Sequence, residues 1–120
     1  MEKHKWGMII NIASMAGVTP APALAAYSAS KAGVVAHSES LRYELMLKKS
    51  PVSVHVVMPF IVTTAMNDVY LPAAIKDGNS PMFYSTTTEE SADMIITQAL
   101  RGKAKIFAPP TQGIIATIAK

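Results

Sequence analysis

The stretch Met8-Ile9-Ile10-Asn11-Ile12-Ala13 is apolar at every position but Asn11, and that continuity limits the fold more than any other feature of the chain. A strand with one wet face alternates apolar and polar residues. A strand covered on both faces does not, and such strands occur mostly in parallel sheets with helices on either side. From about Ala25 to Lys48 the sequence is rich in Ala, Leu, Glu and Lys, with Leu41 and Leu45 four residues apart on one face, which predicts a long helix. Lys48-Lys49 suits its carboxyl end, and Ser50-Pro51 stops it. Val52 to Met58 is a second strand, closed by Pro59.

The same alternation continues downstream. Thr86-x-x-Glu89 and Thr87-x-x-Glu90 are overlapping capping boxes for a helix reaching about Arg101. Ala92, Ile95, Ile96 and Ala99 are expected to face inward, with Gly102 as the stop signal. Lys105 to Ala108 is a short third strand, and Pro109-Pro110 introduces an apolar tail that reads as a terminal helix. Strands alternating with helices point to an α/β fold of three layers, with helices flanking a short parallel sheet of three strands. Right-handed crossovers would set these strands side by side in sequence order, leaving the first with an open edge that invites pairing. Residues 65 to 87 form the long connection. Loops of that length are uncommon unless functional or disordered.

Composition narrows the function classes. Half of the 120 residues are hydrophobic and 16% are charged, an apolar balance for a small free-standing domain that suggests surface meant to be covered. The absence of cysteine excludes disulfides and thiolate metal sites and suits a reducing, cytoplasmic setting. No apolar run reaches the ~20 residues of a membrane span. The net charge of +3 is spread over scattered Lys and Arg without a basic run, so no nucleic-acid surface is expected. His4, His37 and His55 have no metal-ligand spacing, and no metal site is expected. Ser28-Ala29-Ser30-Lys31 matches S-x-x-K, but the S-D-N and K-T-G partners of that nucleophile are absent.

The chemistry-bearing candidates are Ser14, at the end of the first strand, and Tyr27 and Lys31, four residues apart near the start of the first long helix. That step puts two side chains on one helix face. A phenol is a poor acid-base group at neutrality, and a neighbouring cation favours its phenolate form. A serine nearby would supply a neutral donor to a substrate oxygen.

The stretch Gly7 to Gly17, which contains Ser14, then Tyr27-Ser28-Ala29-Ser30-Lys31-Ala32-Gly33, then Val56-Val57-Met58-Pro59 resemble the short-chain dehydrogenase/reductase family in order, spacing and surroundings. The resemblance implies a Rossmann-like fold and hydride transfer between NAD or NADP and a carbonyl or alcohol. Ser14, Tyr27 and Lys31 would be the catalytic residues, with Tyr27 and Lys31 also meeting the cofactor. The family's glycine-rich phosphate turn and its Asn-Ala-Gly segment do not occur in the 120 residues. The resemblance therefore covers nearly the whole chain but only the carboxy-terminal half of the family domain.

By that resemblance residues 1–120 are part of one domain: a catalytic segment 7–58, a nicotinamide and substrate loop 59–87, and a terminal helix and strand 88–120. After the second strand the family shows Pro-Gly-x-Val-x-Thr. Pro59, Val62 and Thr64 match it, while Phe60 stands in place of glycine. The resemblance makes Pro59, Phe60, Val62 and Thr64 cofactor contacts, with a question over the backbone at Phe60, although Thr63-Thr64 also reads as a simple helix cap. Ser14, Met15, Met66 and Phe83 would meet an apolar small-molecule substrate, and a full-length domain would form a homo-oligomer. The competing expectation is a truncated or split chain that binds no cofactor and acts only as an association partner.

Overall fold

The computed structural model of the chain describes residues 1–66 and 85–111. After a 3-10 turn at Glu2–His4 the chain enters strand β1, Gly7–Ile12. A second 3-10 turn, Met15–Gly17, leads to helix α1, Ala25–Leu47. Strand β2 is Val52–Pro59, followed by the short strands β3, Ile61–Val62, and β4, Ser85–Thr86. Helix α2, Thr88–Leu100, and strand β5, Lys105–Ala108, complete the described part. The expected terminal helix after Pro110, and residues 67–84 of the long connection, lie outside the described residues.

The main sheet has the order β1-β2-β5, all parallel, with Gly7 opposite Val52 and Val56 opposite Lys105 at the start of each register. Alternation along the strands feeds two cores. Val56 and Met58 join Ala13 and Met15 on the face covered by Val34 and Val35 of α1. Val57 and Ile106 join Ala99 of α2 on the other, with Ile95 and Met8 packed against them. Val56, Val57, Met58 and Ile106 are each at most 2% exposed. Removing side chains of this size from water contributes about 1.5–3 kcal/mol apiece.

Strand order follows the sequence as expected, and the layers are three. Both steps, β1 to β2 and β2 to β5, advance the same way across the sheet, yet their helices lie on opposite faces. The two connections therefore have opposite hands, so they do not both follow the right-handed rule. The second is not a simple crossover: it carries β3 and β4, which pair in parallel as Ile61 with Ser85 and Val62 with Thr86.

Local chemistry explains the helix ends. At α2 the capping box forms at Thr87: its hydroxyl accepts from Glu90 N–H at 3.1 Å, while the Glu90 carboxylate accepts from Thr87 N–H at 2.9 Å. The overlapping alternative at Thr86 is not used, because Thr86 is buried in β4 with its hydroxyl 2.5 Å from that of Ser91. That register turns Ser91, Ile95 and Ala99 inward. Ala92 and Ile96, expected inside, face out, and Ile96 is 53% exposed. Both helices end in Schellman turns: Gly102 and Lys103 N–H donate to Ala99 and Gln98 C=O, and Lys49 and Ser50 N–H to Met46 and Leu45 C=O.

Polar side chains tie the layers together. Asn11, the single polar break in the first apolar run, donates through its amide to Ser38 Oγ of α1 at 2.9 Å, and Ser38 donates to Val34 C=O at 2.7 Å. His55, 2% exposed, is satisfied by Lys103 C=O at 2.7 Å and Ser53 Oγ at 2.9 Å, in keeping with a structural histidine. Lys105 and Glu39 form an ion pair between β5 and α1. Among the described residues no helix is long and apolar enough to cross a membrane, and no cluster of His, Asp or Glu could hold a metal ion.

Candidate active site

In an open parallel sheet, side chains that follow the carboxyl ends of the strands share one rim. Ser14 follows β1 directly. Its neighbour Ala13 donates its N–H to Val57 C=O at 2.8 Å, which anchors the turn to the sheet. Ser14 is in extended conformation, φ −167°, and caps the Met15–Gly17 turn, its Oγ accepting from Ala16 N–H at 3.2 Å. The oxygen is thereby oriented by its acceptor role, and the hydroxyl proton remains available to a ligand. Thr19 braces the turn, donating both its N–H and its hydroxyl to Met15 C=O at 2.8 and 3.1 Å.

Gly17 brings this turn onto α1. A Cβ placed there would lie 2.7 Å from the Lys31 carbonyl carbon and 2.9 Å from its oxygen, so only glycine permits the approach. Lys31 stands one helical turn beyond Tyr27. Its ammonium lies 5.7 Å from the centroid of the Tyr27 ring and donates to Ile12 C=O, the last carbonyl of β1, at 3.3 Å. One donor of the ammonium is thus held by the strand end, leaving two for a ligand. Tyr27 is half-buried, and its backbone carbonyl accepts from Ser30 Oγ at 2.7 Å. The sequence-predicted Ser14, Tyr27 and Lys31 are therefore brought to one rim by the close contact of two short segments.

The cofactor-side candidates follow the neighbouring strand. Pro59 pairs with Ala108 at the end of the sheet, and Phe60 N–H donates to Ala108 C=O at 2.9 Å. Val62 lies in β3, and Thr63 N–H donates to Thr86 C=O at 2.8 Å, while the Thr64 side chain is exposed. Positive φ occurs at Lys5, Ala23 and Lys49 among the described non-glycine residues, so Phe60 occupies the glycine position of the motif without backbone strain.

Met15 corrects the sequence reading. It is 3% exposed in the core beneath the turn, so its side chain packs rather than meeting a substrate; the spacing next to Ser14 could not reveal which way it points. Met66 is 53% exposed and available. Phe83 lies outside the described residues. Gly17 and the β3–β4 pair were not singled out from sequence. The Gly17 contact had a signal in the glycine three residues after Ser14, but two-residue strands carry no periodicity to detect.

A doubly covered parallel sheet with Ser, Tyr and Lys on its carboxyl rim defines a dinucleotide-type α/β scaffold. A model of the short chain dehydrogenase family matches residues 1–73, more than half of the 120-residue chain, and the chain belongs to that family. It is 44% identical over 69 residues to the very-long-chain 3-oxoacyl-CoA reductase of Neurospora crassa, a match covering 58% of this chain and 20% of that protein. It is likewise 42% identical over 69 residues to the 3-oxoacyl-acyl-carrier-protein reductase FabG of Haemophilus influenzae, covering 58% of this chain and 28% of that one.

Among solved structures, a short chain dehydrogenase from Burkholderia cenocepacia in complex with NADP superposes with a TM-score of 0.71 at 25% identity, covering 96% of this chain and 46% of its own. A short chain dehydrogenase/reductase from Burkholderia phymatum in complex with NAD shares the fold at a TM-score of 0.74 and 21% identity, covering 98% and 48%. The chain thus spans just under half the length of these structures.

Proposed function

We propose that this chain carries the proton-handling part of an NAD(P)-dependent carbonyl reductase or alcohol dehydrogenase. The observation that supports the reading best is the contact of Lys31 with the Tyr27 ring on the same rim as Ser14. When bound, the nicotinamide supplies a hydride to the carbonyl carbon or takes one from the alcohol. Tyr27 gives its hydroxyl proton to the substrate oxygen during reduction and recovers it during oxidation. Ser14, its Oγ oriented by Ala16 N–H, donates its own proton in a hydrogen bond to that oxygen. Lys31 donates once to Ile12 C=O, and its other donors would hold the ribose hydroxyls of a bound nicotinamide nucleotide.

The residues present fit one end of the cofactor. Tyr27, Lys31, Val62 and Thr64 follow adjacent strand ends, where a nicotinamide and its ribose would be held. The 120 residues contain no glycine-rich turn for a pyrophosphate, so the contacts that usually carry most dinucleotide affinity are not among them. The names of the relatives favour a 3-oxoacyl group as substrate, with the exposed Met66 a candidate contact for its acyl chain. A second reading, association with another polypeptide, draws on β1: among the described residues it pairs with β2 alone, and Ile10 and Ile12 are 36% and 49% exposed.

Tyr27→Phe tests the first reading, because it keeps the ring and removes only the hydroxyl. In a polypeptide that turns over a 3-oxoacyl substrate with NADPH, kcat should fall by about 10²-fold or more while NADPH affinity stays near that of the parent. A kcat within a few-fold of the parent takes Tyr27 out of the reaction.

A further inference from the structure

Phe60 occupies a junction. Its N–H is tied to the end of β5 through Ala108 C=O, and the next two residues leave the main sheet to pair with Ser85 and Thr86. Its side chain is half-buried and packs against the cluster of Ala13, Met15, Val56 and Met58. Ala13 and Met15 are the chain neighbours of Ser14, and each is 3% exposed. Ser14 is therefore suspended between two core residues, its backbone is held where they are held, and its Oγ is oriented from there by Ala16 N–H. Interiors are close-packed and transmit small displacements, and a misplacement of about 1 Å at a reacting group can cost on the order of 10²-fold in rate.

We propose that Phe60 is a positioning residue: its ring completes the cluster that holds Ser14 through Ala13 and Met15, and it fixes the serine relative to the segment bearing Val62 and Thr64. The proposal rests on the reading of Ser14, Tyr27 and Lys31 as the reduction site. Where the family pattern has glycine, the turn carries no such link. Here a ring joins the two strand ends, so the Ser14 side and the Val62–Thr64 side of the site move as one body. Loss of the ring leaves a void into which Met15 can relax, drawing Ser14 with it.

Deuterium exchange on the whole chain tests this without any cofactor. The amides of Ala16, Gly17 and Val18 report the Ser14 turn, since they donate to Ser14 Oγ, Ser14 C=O and Met15 C=O, and that of Thr63 reports the far side of the junction. In Phe60→Ala these amides should exchange about tenfold faster or more, while those of α2 stay at the parental rate, as expected for local opening. Phe60→Leu, which keeps apolar bulk, should restore most of the protection. Parental exchange at residues 16–18 in Phe60→Ala overturns the proposal.

Should Phe60→Ala unfold the whole chain, Phe60→Val, intermediate in bulk between Ala and Leu, takes its place: faster exchange in the turn than in α2 supports the proposal, and a uniform rise overturns it. Kinetics separate the two levels of the argument. In a polypeptide with turnover, Phe60→Ala should lower kcat with little change in KM. If exchange in the turn rises and kcat holds, the positioning stands and the role of Ser14 falls.

Discussion

At Gly17 an added Cβ would stand 2.7 Å from the carbonyl carbon of Lys31 and 2.9 Å from the amide nitrogen of Ala32. Both obstacles are backbone within α1, so the helix cannot yield by changing a rotamer. Gly17→Ala should destabilise the chain by about 1–3 kcal/mol, the usual cost of overpacking, and push the Ser14 turn away from Lys31. Gly33 is the natural control, because it lies in the same helix with nothing within 4 Å of its missing Cβ. Gly33→Ala should stabilise by about 0.5–1 kcal/mol through helix propensity alone. Thermal denaturation of the pair should therefore show shifts of opposite sign; a Gly17→Ala chain as stable as the parent would mean that the turn and helix are not in close contact. Met15 makes the complementary point. Adjacent to a catalytic candidate and apolar, it suits a substrate pocket by sequence, but the extended backbone at Ser14 sends it down into the core.

The helices differ in how their ends are satisfied, and each end makes a prediction. Lys49 closes α1 at φ 51°, in the left-handed region where Gly102 closes α2 at φ 76°. A side chain in that conformation costs roughly 1 kcal/mol, so Lys49→Gly should raise stability by about 0.5–1 kcal/mol, seen as a rise of a few degrees in Tm. An unchanged or lower Tm would place Lys49 outside the Schellman turn. At the start of α2, Glu89 has its carboxyl pKa lowered, first by a hydrogen bond from its own backbone N–H and then by the Thr88 hydroxyl, which donates to it at 2.9 Å.

A carboxylate whose folded pKa lies below its unfolded value stabilises fully above the unfolded pKa, about 4.3 for glutamate, and loses that contribution as pH falls through the folded value. The contribution of Glu89 to chain stability should therefore be lost as pH falls below about 4.3. Glu89→Gln should remove that loss, measured as Tm against pH. An identical slope in the variant would remove Glu89 as a contributor.

Taken as a whole, the described chain is a sheet covered unevenly. β2 is buried along its length from Val54 to Met58, whereas β1 has β2 on one side and, among the described residues, no strand on the other. Its Ile10 and Ile12 are exposed, and so are Tyr43, Met46 and Leu47 at the carboxyl end of α1. An uncharged edge flanked by isoleucines is a pairing surface. Purified chain should self-associate in light scattering at micromolar concentration, and Ile12→Lys, which sets a charge on that edge without touching either core cluster, should shift it toward monomer. A parent that stays monomeric throughout would show that the β1 edge is covered.

Much of this architecture was legible in the residues, because strand and helix periodicity is a local property. The continuous run from Met8, the helix after Ala25, the stop at Ser50-Pro51 and the Thr87–Glu90 cap each depend on neighbours within a few positions. So does the four-residue step that sets Tyr27 and Lys31 on one helix face. Tertiary structure decided what depends on contacts between distant segments. It placed α1 and α2 on opposite faces, giving connections of opposite hand; it chose which side of α2 faces in, leaving Ile96 outside; and it turned Met15 into the core and Phe60 against the same cluster. The sequence determined which residues could do chemistry. Only the close approach at Gly17, a contact between residues fourteen apart, set the turn that Ser14 caps against the backbone of α1 at Lys31, since spacing along a chain fixes faces and turns but not which faces meet.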